Sequence, residues 1–324
     1  MVIPVWFPNE TSDDEIIRIL SLTMADAEHT AKPEHQILVC DGQERVKKLV
    51  DGMVKSLQEP FIILLTEQNR GKGGAVACGI DHLLSNSDVE YVVIRDADGD
   101  HFVNDVPNLV RLAHQMCTEL QDDSIFVVGG RVDVHRPMGF VRGEYERILN
   151  DVIWHALQYS LARKGQVINM QYFAEHGLIP DLHSGFKLYS RKSARTAMKG
   201  LTAAEQGMPE LTMMRNGCET VPLVEIIASG GTVGQVNRIT LETQPVMTFQ
   251  NKNRWVRYGN RLLWTFLRLE IPYDSARQLL DNVIPRALLY KDSSYLEELM
   301  QMRQHVLSGL GGTGDEPVFV HDFS

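Results

Sequence analysis

The sequence predicts an α/β protein with a doubly wound, mixed sheet and a helical extension at the C-terminal end. Over the first hundred residues, short apolar runs alternate with helix-length amphipathic segments, which is the pattern of βα units in a parallel sheet. The run Tyr91–Ile94 is apolar throughout, as expected of a central parallel strand. After residue 100 the spacing is less regular, and residues 253–307 are mainly helical in pattern.

Hydrophobic periodicity and capping residues define the elements predicted for the first hundred residues. Ser12 is a suitable N-cap for the first helix, because its hydroxyl can accept a hydrogen bond from the first turn. The predicted strands are Val2–Phe7, Gln36–Cys40, Phe61–Thr66 and Glu90–Arg95, and the predicted helices are Asp13–Met24, Glu44–Leu57 and Gly74–Leu84.

The later part of the chain predicts further strands and a larger share of helix. The strands are Ser124–Val134, Ser184–Tyr189 and Thr232–Asn237, and the helices are Pro107–Leu120, Gly143–Lys164, Lys192–Lys199 and Glu219–Ala228. We therefore expect one domain over residues 1–245, divided near residue 100, and a helical C-terminal region over residues 246–324.

The composition excludes a disordered chain and argues against nucleic-acid binding. The 324 residues are 44% hydrophobic with a formal net charge of −10, whereas a nucleic-acid-binding surface must be positive. The four cysteines form no CxxC pair and are predicted to be buried free thiols in a reducing cytosol. We find no signal peptide and no apolar run of about 20 residues, which predicts a cytoplasmic protein without an integral membrane segment.

Two acids separated by one residue, Asp96 and Asp98, follow directly after the predicted strand Glu90–Arg95. In open α/β sheets, ligands bind beyond the carboxyl ends of the strands. Two carboxylates there are suitable ligands for Mg²⁺ or Mn²⁺, which bind oxygen and commonly bridge acids to substrate phosphates. The alternative is a solvated acidic turn, and Asp100 adds a third acid to the segment.

A glycine-rich segment, residues 69–75, lies between the third predicted strand and its helix. Its glycines permit close approach of the backbone, Lys72 supplies a point charge for a phosphate, and the helix N-terminus adds partial positive charge. The segment is neither a P-loop nor a complete dinucleotide fingerprint, because Val76 replaces the last glycine. The alternative is a simple turn from strand to helix. Asp41 follows the second predicted strand and Glu10 follows the first, and each is either a nucleotide contact or a turn residue.

The ordered set Phe7–Glu10, Val39–Gly42, Asn69–Gly73 and Asp96–Asp98 resembles family 2-type glycosyltransferases of the GT-A fold, the nucleotide-diphospho-sugar transferase fold. The resemblance implies that residues 1–100 bind a nucleotide sugar and that residues 101–245 form the acceptor half of a catalytic domain. It also implies roles for individual residues: Glu10 and Asp41 contact the nucleoside, Lys72 lies near the nucleotide, and Asp96 and Asp98 form the metal-binding DxD motif.

A second block, Leu182–Arg191 with Gly217-Cys218-Glu219 and Gly230–Val233, is similar to two subgroups of these enzymes. They are the polyprenyl-phosphate sugar transferases and the glucosyl- and mannosyl-3-phosphoglycerate synthases, which also have an Arg-Pro pair like Arg136-Pro137. The synthases carry a histidine metal ligand after the last strand, whereas residues 238–243 contain none. Glu242 is the oxygen ligand that could substitute for it.

The resemblance implies a metal-dependent hexosyltransferase that uses a UDP- or GDP-linked sugar and a small, anionic acceptor similar to 3-phosphoglycerate. Asp98 and Glu219 are the predicted catalytic residues, with Glu219 as the general base. Two alternatives remain open, a sugar-phosphate nucleotidyltransferase and a non-catalytic nucleotide-sugar-binding protein. The predicted acceptor-binding residues are Arg136, Arg142, His183, Ser184 and Gly185.

The helical tail has a basic cluster that is predicted either to close over the diphosphate or to form a solvated helix face. The cluster comprises Lys252, Arg254, Arg257 and Arg261, with Trp255 and Tyr258 between them. Trp264, Phe266 and Leu267 are predicted to be core residues or contacts of a homodimer.

Overall fold

A computed structural model describes residues 1–57, 61–132, 135, 139–173, 179–238, 240 and 254–313. The chain divides into two units. The first unit comprises residues 1–132 and 169–247, and the second comprises residues 133–168 and 248–324. Residues 133–168 thus belong with the C-terminal helices, whereas the sequence analysis assigned them to the acceptor half. The predicted boundaries near residues 100 and 245 stay predictions.

The first unit contains a mixed sheet of seven strands among the described residues, in the order β3-β2-β1-β4-β6-β5-β7. Strand β6 is antiparallel to β4 and β5, and the other pairs are parallel. The strands are β1 Val2–Val5, β2 Ile37–Cys40, β3 Ile62–Leu65, β4 Tyr91–Ile94, β5 Ile125–Arg131, β6 Lys187–Ser190 and β7 Thr232–Arg238. The register aligns Val5 with Cys40 and Cys40 with Leu65, so the segments after these three strands leave the sheet at one edge.

Helices flank this sheet and form most of the second unit. The helices of the first unit are α1 Asp13–Met24, α2 Glu44–Leu57, α3 Lys72–Asn86, α4 Val106–Leu120, α6 Arg191–Gly207, α7 Met213–Asn216 and α8 Thr220–Ala228. Those of the second unit are α5 Phe140–Arg163, α9 Arg254–Arg268, α10 Tyr273–Val283 and α11 Ser293–Gly309. Ser12 caps α1 as predicted, and its Oγ accepts a hydrogen bond from the amide of Glu15 at 3.3 Å.

Several predicted boundaries differ from the structure, and three of the differences have identifiable physical reasons. Helix α3 begins at Lys72 rather than Gly74, because Gly71 takes a positive φ of 83° and turns the chain into the helix. Helix α6 continues past Gly200, where a Cβ atom would lie 2.6 Å from the Glu225 side chain. That glycine permits close packing of α6 against α8 and does not end the helix. Strand β6 begins at Lys187 rather than Ser184, because the Ser184 amide donates to the carbonyl of Asp181 in a turn at 3.2 Å.

Each unit has its own buried core. In the first unit, one face of the sheet packs against α1, α2 and α4 through apolar side chains such as Ile3, Ile19 and Leu188. In the second unit, α5 is buried over most of its length and packs against α9 and α10. Trp264 and Phe266 are buried there, whereas Leu267 is exposed. All four cysteines are free thiols, and Cys40 and Cys218 are buried. Among the described helices, none has the length and apolar character that crossing a bilayer requires.

Candidate active site

The glycine-rich segment after β3 is held in place by Asp41, which is buried at the end of β2. The Asp41 carboxylate accepts hydrogen bonds from the amides of Arg70 at 2.9 Å and Gly71 at 2.8 Å, and from the Thr66 hydroxyl at 3.1 Å. Backbone amides in a turn are strong partners for a carboxylate. In this structure, therefore, Asp41 fixes the loop from which α3 starts, and its predicted contact with a nucleoside stays a prediction.

Lys72, the first residue of α3, connects two acids from distant parts of the chain. Its Nζ lies 2.7 Å from Oδ1 of Asp96 and 2.8 Å from Oε1 of Glu219. Burial alone would lower the pKa of Lys72, but the carboxylates of Asp96 and Glu219 outweigh it and hold the pKa well above its ordinary value. Lys72, Asp96 and Glu219 therefore form one cluster, which we call the Lys72 cluster.

Asp98 is partly buried close to Asp96, and the surroundings of these two acids differ from those of Asp100. Burial, followed by the charge of Asp96, raises the pKa of Asp98 to about 6. Asp98 Oδ1 accepts a hydrogen bond from the Asp100 amide at 3.1 Å. The Asp100 carboxylate lies 3.3 Å from Nη1 of Arg238, a buried residue at the end of β7. Arg238 therefore neutralises Asp100 and Lys72 pairs with Asp96, whereas Asp98 lies partly buried beside the like charge of Asp96, a position that suits a cation.

The acidic segment after β4 is fixed by His101, which the sequence analysis did not identify. The Asp96 amide donates to Nδ1 of His101 at 2.9 Å, and Arg95 Nε donates to the His101 carbonyl at 2.9 Å. The ring stacks on Phe186 with centroids 4.9 Å apart. Burial and the nearby Arg238 hold the pKa of His101 well below its usual value, so the ring is neutral and accepts at Nδ1.

The segment Ser184-Gly185-Phe186 meets the Lys72 cluster through its glycine. A Cβ atom at residue 185 would lie 2.6 Å from Oδ2 of Asp96 and 2.8 Å from Nζ of Lys72, which leaves no room for a side chain. Ser184 is fully buried, and its hydroxyl donates to the carbonyl of Gly129 at 2.6 Å. Of the predicted acceptor-binding residues, Gly185 thus touches the cluster, while Ser184 bonds to the sheet.

Glu219 precedes α8 and is the third member of the cluster. Its carbonyl accepts a hydrogen bond from Nζ of Lys187 at 2.8 Å. The neighbouring Thr220 hydroxyl lies 2.9 Å from Nε2 of His183, and both of these residues are buried. The structure thus brings the predicted base beside a predicted metal ligand, whereas His183 lies in the protein interior. The roles predicted for both residues stay predictions.

The comparison with known families gives the class of the protein. The family model "Glycosyl transferase family 2" matches residues 18–196, more than half of the chain. The chain belongs to this family. The match includes Asp41, Lys72, Asp96 and Asp98, and membership confirms both the predicted GT-A fold class and the enzyme class, a glycosyltransferase.

One solved structure similar to this glycosyltransferase is described as the crystal structure of GalNAc-T7 with UDP, GalNAc and Mn²⁺. The identity is 14%, the TM-score is 0.40, and the alignment covers 94% of this chain and 54% of that one. This chain thus spans about half the length of that relative. The search of curated protein sequences found no match to this chain.

Other predicted site residues of this glycosyltransferase lie elsewhere. Glu10 is exposed in the turn after β1, where Arg45 Nη1 donates to the Asn9 carbonyl at 3.0 Å. Arg142 lies in the second unit, and its Nε is 3.1 Å from Oε1 of Glu146. Arg136 and Glu242 lie outside the described residues, so their predicted roles stay predictions.

Within the second unit, Arg254 of the predicted basic cluster makes internal contacts. Arg254 Nε lies 2.8 Å from Oε2 of Glu298, which also accepts a hydrogen bond from the Tyr145 hydroxyl at 3.0 Å. Tyr258 stacks on Tyr145 with centroids 4.9 Å apart. These contacts join α5, α9 and α11. Arg254 therefore takes part in the packing of these helices and does not belong to a solvated helix face. Lys252 lies outside the described residues.

His101 and Lys187 were not predicted as site residues, although the sequence contains a signal for each. His101 follows Asp96 by only five positions, close enough for its ring to turn back onto the acidic segment. Lys187 lies between Phe186 and Leu188 in an otherwise apolar run. A lysine there is unusual in a central strand, because a buried ammonium needs a specific partner.

Proposed function

We propose that this glycosyltransferase moves a hexose from a UDP- or GDP-linked sugar to a small anionic acceptor similar to 3-phosphoglycerate. The observation that carries the proposal is the Lys72 cluster, in which an ammonium lies within 2.8 Å of both Asp96 and Glu219. A cation at a helix N-terminus suits the charge of a leaving diphosphate, and a carboxylate beside it suits proton removal from an acceptor hydroxyl.

Asp96 and Asp98 would hold a divalent cation, Mg²⁺ or Mn²⁺. Their hard oxygen atoms fit such an ion, and a bound cation would favour the charged form of Asp98, whose pKa burial and the charge of Asp96 raise to about 6. The described residues contain no group of three potential ligands, so phosphate oxygens of the donor would supply the remaining positions. Glu242 would be a further oxygen ligand. When bound, the cation would neutralise charge on the leaving diphosphate.

The donor would lie along the edge of the sheet where β1, β2 and β3 end. Asp41 holds the loop that orients the first turn of α3, whose amides and Lys72 would face the diphosphate. Glu10 and Asp41 would contact the nucleoside. Arg70 in this loop and Arg215 beside it are exposed, and Arg215 Nη2 donates to the Asn69 carbonyl at 2.7 Å. Positive charge around the loop supports an anionic ligand there.

Glu219 would accept the proton of the acceptor hydroxyl, and Lys72 is a charge partner for its carboxylate form. His183, Ser184 and Gly185 would form the acceptor side of the site. Arg136 and Arg142 would bind a carboxylate or phosphate of the acceptor, because guanidinium groups form paired hydrogen bonds with such anions. Family membership disfavours the nucleotidyltransferase alternative, as does the lack of a glycine-rich loop at Val2–Glu10.

The test is a panel of UDP-glucose, UDP-mannose, GDP-glucose and GDP-mannose with Mn²⁺ or Mg²⁺, in the presence and absence of 3-phosphoglycerate. Release of nucleoside diphosphate and the mass of the sugar product are measured. We expect one donor to turn over and Asp98→Asn to lose at least about 1,000-fold of that turnover, the scale of losing a principal charge-stabilising group. Asp100→Asn is the control, because Arg238 neutralises that carboxylate and we expect a much smaller loss.

Near wild-type turnover by Asp98→Asn would refute the assignment of the metal site. Metal-dependent binding of a nucleotide sugar without product from any acceptor would favour the non-catalytic alternative. Pyrophosphate release from a sugar 1-phosphate and a nucleoside triphosphate would favour the nucleotidyltransferase alternative.

A further inference from the structure

Lys187 is a buried cation at the centre of the sheet. It is the first residue of β6, between β4 and β5, and it pairs in register with Ile94 and Val128. Only 2% of the residue is exposed. Its Nζ donates to the carbonyl of Glu219 at 2.8 Å. A lysine therefore crosses from the sheet to the segment that carries the proposed base.

The stability of the fold does not explain a lysine at this position. Burial lowers the pKa of Lys187 to about 8, although Glu219 acts in the opposite direction, so the amine remains mostly charged at neutral pH. Its partner is a main-chain carbonyl immediately before helix α8, and a positive charge is unfavourable near a helix N-terminus. An apolar side chain of the same length would avoid the desolvation of an ammonium.

The contacts around Glu219 explain why a lysine is buried at position 187. The residue lies between the short helix α7 and α8, and contacts from three directions hold it. Lys72 binds its carboxylate, Lys187 binds its carbonyl, and His183 binds the hydroxyl of the next residue, Thr220. Main chain and side chain of Glu219 are thus fixed separately, as required of a base that must meet a proton with accurate geometry.

We propose that Lys187 is a positioning residue, which holds the main chain of residue 219 so that the Glu219 carboxylate stays beside Lys72 and Asp96. The inference rests on the proposed role of Glu219 as the base. Lys187 does not touch the substrate, and its effect on turnover passes entirely through Glu219.

The principal test is Lys187→Met, which keeps the length of the side chain and removes its charge. In a crystal structure of the variant, we expect the Glu219 carboxylate to leave hydrogen-bonding distance of Lys72 Nζ. With the donor identified by the panel, we expect kcat to fall about 10- to 100-fold, the effect of a misplaced reacting group. We expect the donor KM to stay within about twofold, because the diphosphate contacts are unchanged. The melting temperature should not fall.

Lys192→Met is the matched control. Lys192 is an exposed lysine five positions further along the chain, paired with Asp122 at 3.0 Å, and its loss should leave kcat and the Glu219 position unchanged. Lys187→Gln provides a second variant, since its amide can still donate to a carbonyl without a charge. We expect it to recover part of the activity that the methionine variant loses.

A double variant separates this inference from the proposed function. If Lys187 acts only through Glu219, Lys187→Met combined with Glu219→Gln should be no slower than Glu219→Gln alone. If the reductions in turnover that the two substitutions cause separately multiply in the double variant, the inference is overturned. An unmoved Glu219 with unchanged kcat in Lys187→Met would also overturn it, as would a melting temperature lowered by more than about 5 °C at unchanged turnover per folded molecule. Wild-type turnover by Glu219→Gln would instead refute the proposed base.

Discussion

Each unit of the protein contains a partly or fully buried ionic cluster, and the two clusters differ in geometry. In the second unit, Arg303 binds Asp281 through two hydrogen bonds of 2.6 and 3.0 Å, with side chains 4% and 1% exposed. In the first unit, Lys72 is shared between Asp96 and Glu219, whose side chains are 27% and 15% exposed. Arg303 engages both oxygens of its partner, whereas the ammonium of Lys72 contacts one oxygen of each acid.

The difference is the one expected between an ion pair that holds helices together and one that takes part in the proposed chemistry. A planar guanidinium fork engages both carboxylate oxygens, and the pair connects α10 to α11. A lysine is a point charge that leaves the second oxygen of Asp96 facing Gly185. We therefore expect loss of the first pair to affect stability and loss of the Lys72 cluster to affect turnover.

The largest expected effect is that of Lys72→Met on turnover. The variant removes the cation beside Asp96 and the leaving diphosphate, so we expect about a 1,000-fold loss, equivalent to about 4 kcal/mol of transition-state stabilisation. Donor turnover and urea denaturation are measured together. Lys47→Met is the matched control, because it breaks a 2.7 Å ion pair with Asp51 of similar exposure outside the site. Comparable turnover in the two variants would contradict the distinction.

The next effect is that of Arg303→Met on stability. The variant leaves the Asp281 carboxylate buried with Arg277 Nε 3.8 Å away, so we expect about 3 kcal/mol of destabilisation in urea denaturation. Turnover per folded molecule should not change. Adding Asp281→Leu should recover most of the loss, because no uncompensated charge then remains. A variant as stable as the wild type would show that the pair has no structural role.

Lys187 is as buried as the structural pair, but within the described part of the chain its ammonium makes one hydrogen bond, and its burial predicts that stability depends on pH. Burial lowers its pKa from the ordinary value of 10.5 to about 8, so below pH 8 the folded state carries a desolvated ammonium. Lys187→Met should therefore exceed the wild type in unfolding free energy at pH 7 by at most about 3 kcal/mol. The difference should shrink as the pH rises from about 8 to 10. Denaturation at several pH values measures it, and a constant difference would contradict the prediction.

The smallest effect is that of Gly185→Ala. The new Cβ atom would lie 2.6 Å from Asp96 Oδ2 and 2.8 Å from Lys72 Nζ, so the ion pair must shift. We expect turnover to fall about 10- to 100-fold, because displacing reacting groups by about 1 Å has effects of that size. Gly207→Ala is the control, because a Cβ atom there meets no neighbour within 4 Å. Equal activity of the two variants would show that Gly185 is not required by the cluster.

The sequence predicted most of the sheet because hydrophobic periodicity reports local burial. The bounds of α1 and α2 are as predicted, and Ser12 forms the predicted cap. The sequence could not predict that Lys72 contacts Glu219, because 147 positions separate the two residues and only the order of the strands brings them together. For the same reason Asp41 was identified as a polar residue at a strand end, but its hydrogen bonds to the glycine-rich loop depend on the tertiary fold.

The most direct test of the account is a measurement of Mn²⁺ binding, in which the electron paramagnetic resonance signal reports the concentration of the free ion. The central claim is that Asp96 and Asp98 hold a cation against the diphosphate of the donor. Titrations of the wild type and of Asp98→Asn are made with and without UDP or GDP. We predict that one nucleotide tightens Mn²⁺ binding by wild type at least about tenfold, or about 1.4 kcal/mol, and that Asp98→Asn loses this effect. Equal tightening in the two proteins would contradict the claim.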